Sequence, residues 1–209
     1  MGLEITVGVL AGETDEEETA DLREELDGLS AALAGTGVQW REPDAPPVHT
    51  SRAPLLGFPY SWLHELRRVY ALDRQDLPIT PRGERGMTSR DRDAIDDEAS
   101  MLDSHLLCHS DCEGYYVPVA FDEPLFLPSD AGVAGGGMVG SSQGLLDELR
   151  GCAPALGITL DGGELSDDEA RRVGDLPETD PFMVEASVWL TLHEACRASI
   201  AGGHAIVFQ

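Results

Sequence analysis

The stretch His105-Leu-Leu-Cys-His-Ser-Asp-Cys-Glu-Gly114 concentrates the reactive side chains. Two of the six histidines and two of the four cysteines fall within eight residues there, beside Asp111 and Glu113. Imidazoles, a thiol and a carboxylate at such spacing can ligate a metal, move a proton or attack an electrophile. On an extended strand, His105, Leu107 and His109 share one face and Cys108 takes the other. His105 and His109 are then candidate zinc ligands, with Cys112 or Asp111 from the following turn as the third. His64, or His193 with Cys196, would complete the set from another element. Cys112 is also a candidate nucleophile. Free backbone N–H groups and an imidazole lower a thiol pKa, whereas the flanking Asp111 and Glu113 raise it. The plainer alternative is a turn whose histidines bond backbone and whose Cys108 packs as a small hydrophobe.

A second constellation sits in Tyr60-Ser-Trp-Leu-His-Glu-Leu-Arg-Arg68. On a helical wheel Trp62, Leu63, Leu66, Val69 and Tyr70 form an apolar side. Ser61, His64 and Arg68 fall on the opposite side. Arg68 there is a candidate anion clamp and Ser61 a candidate ligand contact, with Ser110 across from them. A third pattern, Gly140-Ser-Ser-Gln-Gly144, matches the nucleophile elbow with Ser142 as the nucleophile. Asp161, Asp175 or Asp180, then His193 or His204, supply the chain order of a hydrolase triad. The glycines before Ser142 make a poor strand, which counts against that use. His193 also falls on an apolar helix face, where a satisfied core histidine is the default.

These groups need elements to hold them. Ile5, Val7 and Val9 alternate as in a strand over residues 3–10. Thr14 and Glu17 read as a capping box, Leu22, Leu26, Leu29 and Leu33 follow at helical spacing, and Gly35 is the expected stop. Residues 41–54 carry four prolines and read as loop. A helix is expected over 61–71, and 73–98 reads as a mobile charged loop or insertion. Residues 104–109 and 115–120 read as a hairpin, with a helix over 95–112 as the alternative. A helix follows Gly144. Ser166 and Glu169 start a short acidic helix, and Asp180-Pro181 starts a last long one. Gly202-Gly203 ends it, and Ala205–Phe208 reads as a buried strand. The expected fold is α/β or α+β in one domain, a small mixed sheet packed with three to five helices.

The chain has 209 residues, 39 acidic against 14 basic, and a net charge of −25. Every basic residue is arginine, as in GC-rich bacterial coding. Such a field repels nucleic acid and anionic membranes and favours a basic protein partner. No apolar run is long enough to span a bilayer. The opening Met1-Gly-Leu-Glu-Ile-Thr6 lacks the basic and apolar regions of a signal peptide, so the expected place is the cytoplasm with reduced thiols.

Three stretches, Met1–Ile5, Tyr60–Arg68 and Leu107–Gly114 with Pro118, resemble a family of uncharacterised bacterial and phage proteins. Its members share a Met-Gly-Leu-Asp/Glu-Ile start, a Ser-x-x-His-x-x-Arg helix and a Ser-Asp-Cys-x-Gly turn. The resemblance implies no activity, but it singles out two polar clusters that a cleft would bring together. Two function classes follow. One is a small-molecule or metal-assisted site. In it His64 or His109 acts as base or ligand, Asp111 as orienter, Cys112 as ligand or nucleophile, and Arg68 as clamp for a small anionic ligand. The other is a non-catalytic acidic binding protein, such as an immunity or antitoxin-type inhibitor that masks a basic partner.

Overall fold

Alternation in the opening residues gives the first strand, β1 (Gly2–Val7), with Leu3 and Ile5 turned into the core. The computed structural model describes the backbone of residues 2–11, 16–82 and 86–209; the side chains of residues 11 and 16–18 are not described. The expected capping box at Thr14 and Glu17 lies outside the described residues. The helix it was to start, α1, spans Glu16–Thr36. It runs past Gly35 to Gly37, whose φ of +91° ends it in the left-handed region that glycine tolerates.

The remaining strands are β2 (Gly57–Pro59), β3 (Gly114–Val117), β4 (Leu125–Phe126), β5 (Met138–Ser141) and β6 (Ile206–Phe208). With β1 they form one mixed sheet in the order β2-β1-β6-β3-β5-β4. The β3–β5 pair is parallel and the other pairings are antiparallel. The last strand therefore sits in the middle, between β1 and β3. Burial on both faces explains its unbroken apolar sequence: Ile206 and Phe208 face one core, Val207 the other.

Helices cover both faces. On one side α1 lays Leu26, Leu29 and Leu33 against Tyr115, Val117, Val139 and Val207. Each fully buried leucine contributes about 1.5–3 kcal/mol relative to exposure. On the other side lie α2 (Tyr60–Arg74), α5 (Ser142–Cys152) and α7 (Met183–Gly202), packed on Leu3, Ile5, Tyr116 and Phe208. The α7 helix is apolar nearly all round because it runs through this core. Its Trp189 Nε1 donates to the Leu149 carbonyl at 2.7 Å. Gly203, at φ +79°, ends α7 and turns the chain into β6. The fold is thus α+β with a mixed sheet. Among the described residues no helix is long and apolar enough to cross a membrane.

Several local expectations change. The segment read as a charged loop over 73–98 contains α3 (Ser89–Ala99). Thr88 caps that helix in a reciprocal box with Asp91, and only Ala94 within it is buried. The hairpin over 104–109 and 115–120 does not form. Instead His105–Cys108 is a one-turn helix, α4, capped by the Ser104 side chain. His105, Leu106 and Leu107 are all buried in that turn. The turn conformation also lets Glu148 accept the N–H groups of His105 and Leu106, both at 2.7 Å. Ser166 caps α6 (Asp167–Gly174) as expected. Asp180 does not cap α7. Its carboxylate accepts the Phe182 N–H at 2.9 Å in a preceding turn, and the helix begins at Met183.

Candidate functional site

Two elements meet where the two polar clusters were expected to face each other. Arg67, not Arg68, makes the junction. Its Nε donates to the Leu106 carbonyl at 2.9 Å and its Nη2 to the His109 carbonyl at 2.6 Å. Its Nη1 pairs with Asp111. One guanidinium thereby staples the 106–111 segment onto α2. His64 Nε2 lies 2.9 Å from Asp111 Oδ2, with both side chains partly exposed. The Asp111 carboxylate is held on both oxygens.

The other expected members do not join a shared pocket. His109 is 3% exposed and stacks on Tyr116 with ring centroids 4.2 Å apart. Burial pushes its pKa down to about 3, so the imidazole stays neutral and out of reach of solutes. His105 is equally buried, and its Nδ1 accepts the Ser141 N–H at 3.1 Å. Ser110 Oγ lies 3.6 Å from Cys112 Sγ within the turn. Cys112 is exposed, but it lines a different depression with Glu25, Glu113 and Tyr115. Cys108 is half-buried, and that burial raises its thiol pKa. Ser61 is exposed on α2. Among the described residues no three His, Cys, Asp or Glu side chains are grouped to hold a metal ion. The zinc set of His105, His109 and Cys112 is therefore not assembled.

Arg68 corrects the wheel. It is buried and bonds Glu65 at 3.2 Å, the Thr80 carbonyl at 2.9 Å and Glu185 at 2.8 Å. A guanidinium used up inside the molecule cannot clamp an anionic ligand.

The elbow at Ser142 does have its strand, β5, and its helix, α5. The hydroxyl is nevertheless 0% exposed and shares a 2.7 Å hydrogen bond with Ser199 Oγ. His193 stacks on Trp189 at 4.7 Å and His204 Nδ1 pairs with Glu42 at 2.8 Å. Neither imidazole hydrogen-bonds Ser142. His193 is the core histidine expected from its helix face. His204 lies in the loop before β6 and is buried there.

The surface tells a different story from the interior. At least eleven of the fourteen arginines sit in ion pairs within the chain. Arg52 and Arg197, for instance, converge on the buried Glu194 at 2.7 and 2.8 Å. The excess acid is left on the outside. Asp21 and Glu24 on α1, Asp93, Asp96 and Asp97 on α3, and Glu113 in the turn are exposed. None of these six makes an ion pair among the described residues. Residue-by-residue reading missed them because each alone resembles an ordinary solubilising side chain. The available signal was collective: the charge of −25 and the absence of lysine.

A family model described as "Putative DNA-mimic protein" matches residues 1–208, and the chain belongs to that family. No curated protein and no solved structure matches. The match spans nearly the whole chain rather than the three short motifs. It overturns the small-molecule or metal-assisted site as the main function. It supports the competing expectation of an acidic binding protein.

Proposed function

We propose that this DNA-mimic family member is a non-catalytic inhibitor-like binding protein that occupies the DNA-binding surface of a basic protein. The observation that carries this reading is the division of charge. At least eleven of the fourteen arginines are paired within the chain, while carboxylates on separate helices stay exposed without an ion pair among the described residues. Duplex DNA presents one negative charge per ~1.7 Å of axis, and a protein surface built for it is lined with Lys and Arg. Carboxylates at helical positions i, i+3 and i+4 recur every ~5–6 Å, as Asp93, Asp96 and Asp97 do. A rigid scaffold of such carboxylates competes for the same cationic groups without offering bases or a bendable backbone. The same field repels nucleic acid itself, so the chain acts on proteins. Nothing in the comparisons supports the narrower immunity or antitoxin role.

Competition tests this reading. Immobilised chain should retain proteins that bind duplex DNA and release them when duplex DNA or salt is added. Retained proteins that do not bind DNA, or retention indifferent to added duplex, would overturn it.

A further inference from the structure

Five large apolar side chains stand exposed among the described residues, and two of them adjoin: Met101 at 68% and Leu102 at 55%. Single exposed apolar residues are ordinary, whereas contiguous ones point to a contact. The pair lies just past the end of α3. The Met101 N–H donates to the Glu98 carbonyl and the Leu102 N–H to the Ala99 carbonyl, both at 3.1 Å, so the helical path carries on through Met101. Leu102 then takes φ +59°, in the left-handed region that glycine or asparagine enters more cheaply. Neither residue joins a core cluster among the described residues. The fold gains no core packing from a leucine there, and glycine would ease the backbone.

The setting says what would cover the pair. Asp93, Asp96, Asp97, Ser100 and Met101 follow one another at i, i+3, i+4, i+7 and i+8, which puts them on one helical stripe, and all five are exposed. Three carboxylates without an ion pair among the described residues thus run into the apolar pair over about 12 Å of helix. The two arginines of α3, Arg90 and Arg92, sit in its first turn, at the opposite end. Asp103 follows Leu102, with Arg74 at 3.9 Å. A second copy of the chain would bring a net charge of −25 against this stripe, and an anionic membrane is repelled likewise. An apolar contact framed by carboxylates calls instead for an apolar side chain framed by Lys or Arg.

Surfaces that read duplex DNA have that make-up. Their Lys and Arg take phosphates, and an apolar side chain among them meets the thymine methyl in the major groove. We propose that the stripe from Asp93 to Leu102 is the docking surface for the groove-reading helix of the basic partner. Met101 and Leu102 cover that helix's apolar base-contacting side chain, and Asp93, Asp96 and Asp97 take the flanking cations. Resting on the DNA-mimic reading, this assignment gives it one face and a component that salt does not screen: charge attraction fades with added salt, apolar burial does not.

The probes are two constrained helical peptides of equal charge, each with arginines at i, i+3 and i+4. One carries a leucine within the arginine face and the other a serine in its place. Binding is followed by NMR on isotope-labelled chain. The leucine peptide should bind about tenfold more tightly than the serine peptide and should move the Asp97, Met101 and Leu102 amide signals saturably. Met101→Ser with Leu102→Asn should bring the leucine peptide down to the serine peptide's affinity and leave the serine peptide within about twofold. Asparagine accepts the left-handed backbone, so this variant should melt no lower than the parent. Asp96→Asn with Asp97→Asn should weaken both peptides about fivefold and flatten their salt dependence. Equal affinity of the two peptides, an unchanged leucine peptide in the Met101 and Leu102 variant, or shifts centred on α1 would overturn the surface. If it fails in this way while duplex DNA still displaces retained proteins, mimicry stands and uses another face. If the surface behaves as expected while duplex DNA displaces nothing, the mimic reading falls and a docking surface for basic helices remains.

Discussion

Arg68 and Glu185 meet inside the molecule, Nη2 to Oε1 at 2.8 Å, with side-chain exposures of 3% and 2%. They join the middle of α2 to the start of α7 across 117 residues of sequence. A buried pair of this kind is strongly destabilising to break, because the surviving charge is left without a partner. Arg68→Ala should cost about 3–5 kcal/mol in chemical denaturation. A loss no larger than that of an exposed arginine such as Arg90→Ala would show that the pair is not buried as described.

Glu194 sets an acid limit on stability. Burial alone would raise its carboxyl pKa. Side-chain bonds from His193, Arg52 and Arg197, with the Arg52 N–H, outweigh that and hold it well below the usual carboxylate range. The group therefore contributes stability above the unfolded carboxylate value, about 4.3, and loses it as pH falls toward the folded value. Glu194→Gln should cost about 3–5 kcal/mol near neutrality. The gap to the parent should narrow as pH falls below about 4. Denaturation curves at several pH values check this, and a gap that stays constant into acid would refute the assignment.

Glu148 acts with the opposite sign. Burial pushes its pKa up to about 7, although the Leu106 and His105 N–H groups pull it back. Its contribution to stability is greatest below the ordinary carboxylate value and is lost as pH rises toward 7. A carboxyl-carbon NMR titration should place its midpoint near 7. A midpoint at the ordinary glutamate value would mean the side chain is solvated.

Glycine positions offer a paired test of packing. A Cβ at Gly140 would overlap the Tyr116 ring, whereas one at Gly151 in α5 would meet nothing within 4 Å. Gly140→Ala should destabilise by about 1–3 kcal/mol through overpacking. Gly151→Ala should stabilise by about 0.5–1 kcal/mol through helix propensity. Thermal melts of the two variants should move in opposite directions; a shared direction would contradict the placement of α5 against β5.

Serine chemistry gives a negative control. Ser142 is sealed and bonded to Ser199, so a serine-directed phosphonate should leave it unlabelled in the folded chain. Labelling under native conditions, read by mass spectrometry, would show that the hydroxyl is reachable.

Period and capping made much of the scaffold readable. Leu26, Leu29 and Leu33 announced α1, alternation announced β1, and the short apolar run at 206–208 announced a buried strand. What failed had a common physical cause. Amphipathic reading assumes that charge faces water, and the α2 wheel placed Arg68 outside. The interior instead holds Arg67, Arg68, Glu65 and Glu185 because each is paired: Arg67 with Asp111, Arg68 with Glu185 on α7, and Glu65 with Arg68 on its own helix and with Arg82. Similarly, Glu42 lies in a proline-rich loop with no local signal. It is buried by bonding His204 and the Ala205 N–H, contacts 162 and 163 residues away. The α3 helix escaped notice because its apolar face is slight: Ala94 is buried, and Ile95 and Ala99 are only partly buried against the core. Its cap used Asp91 where the usual pattern has Glu or Gln. The candidate site was legible only in part. His64 and Asp111 do meet, but His109 stacks under Tyr116, where residue type could not reveal it.

The central place of β6 has a consequence for how the chain is made. No hydrogen bonds join β1 directly to β3, so β2-β1 and β3-β5-β4 are separate half-sheets until residues 206–208 arrive. During synthesis the emerging polypeptide carries two open strand edges, and closure waits for those three residues to slot between them. A ribosome stalled before Ile206 would hold a chain prone to foreign strand pairing, however complete its helices.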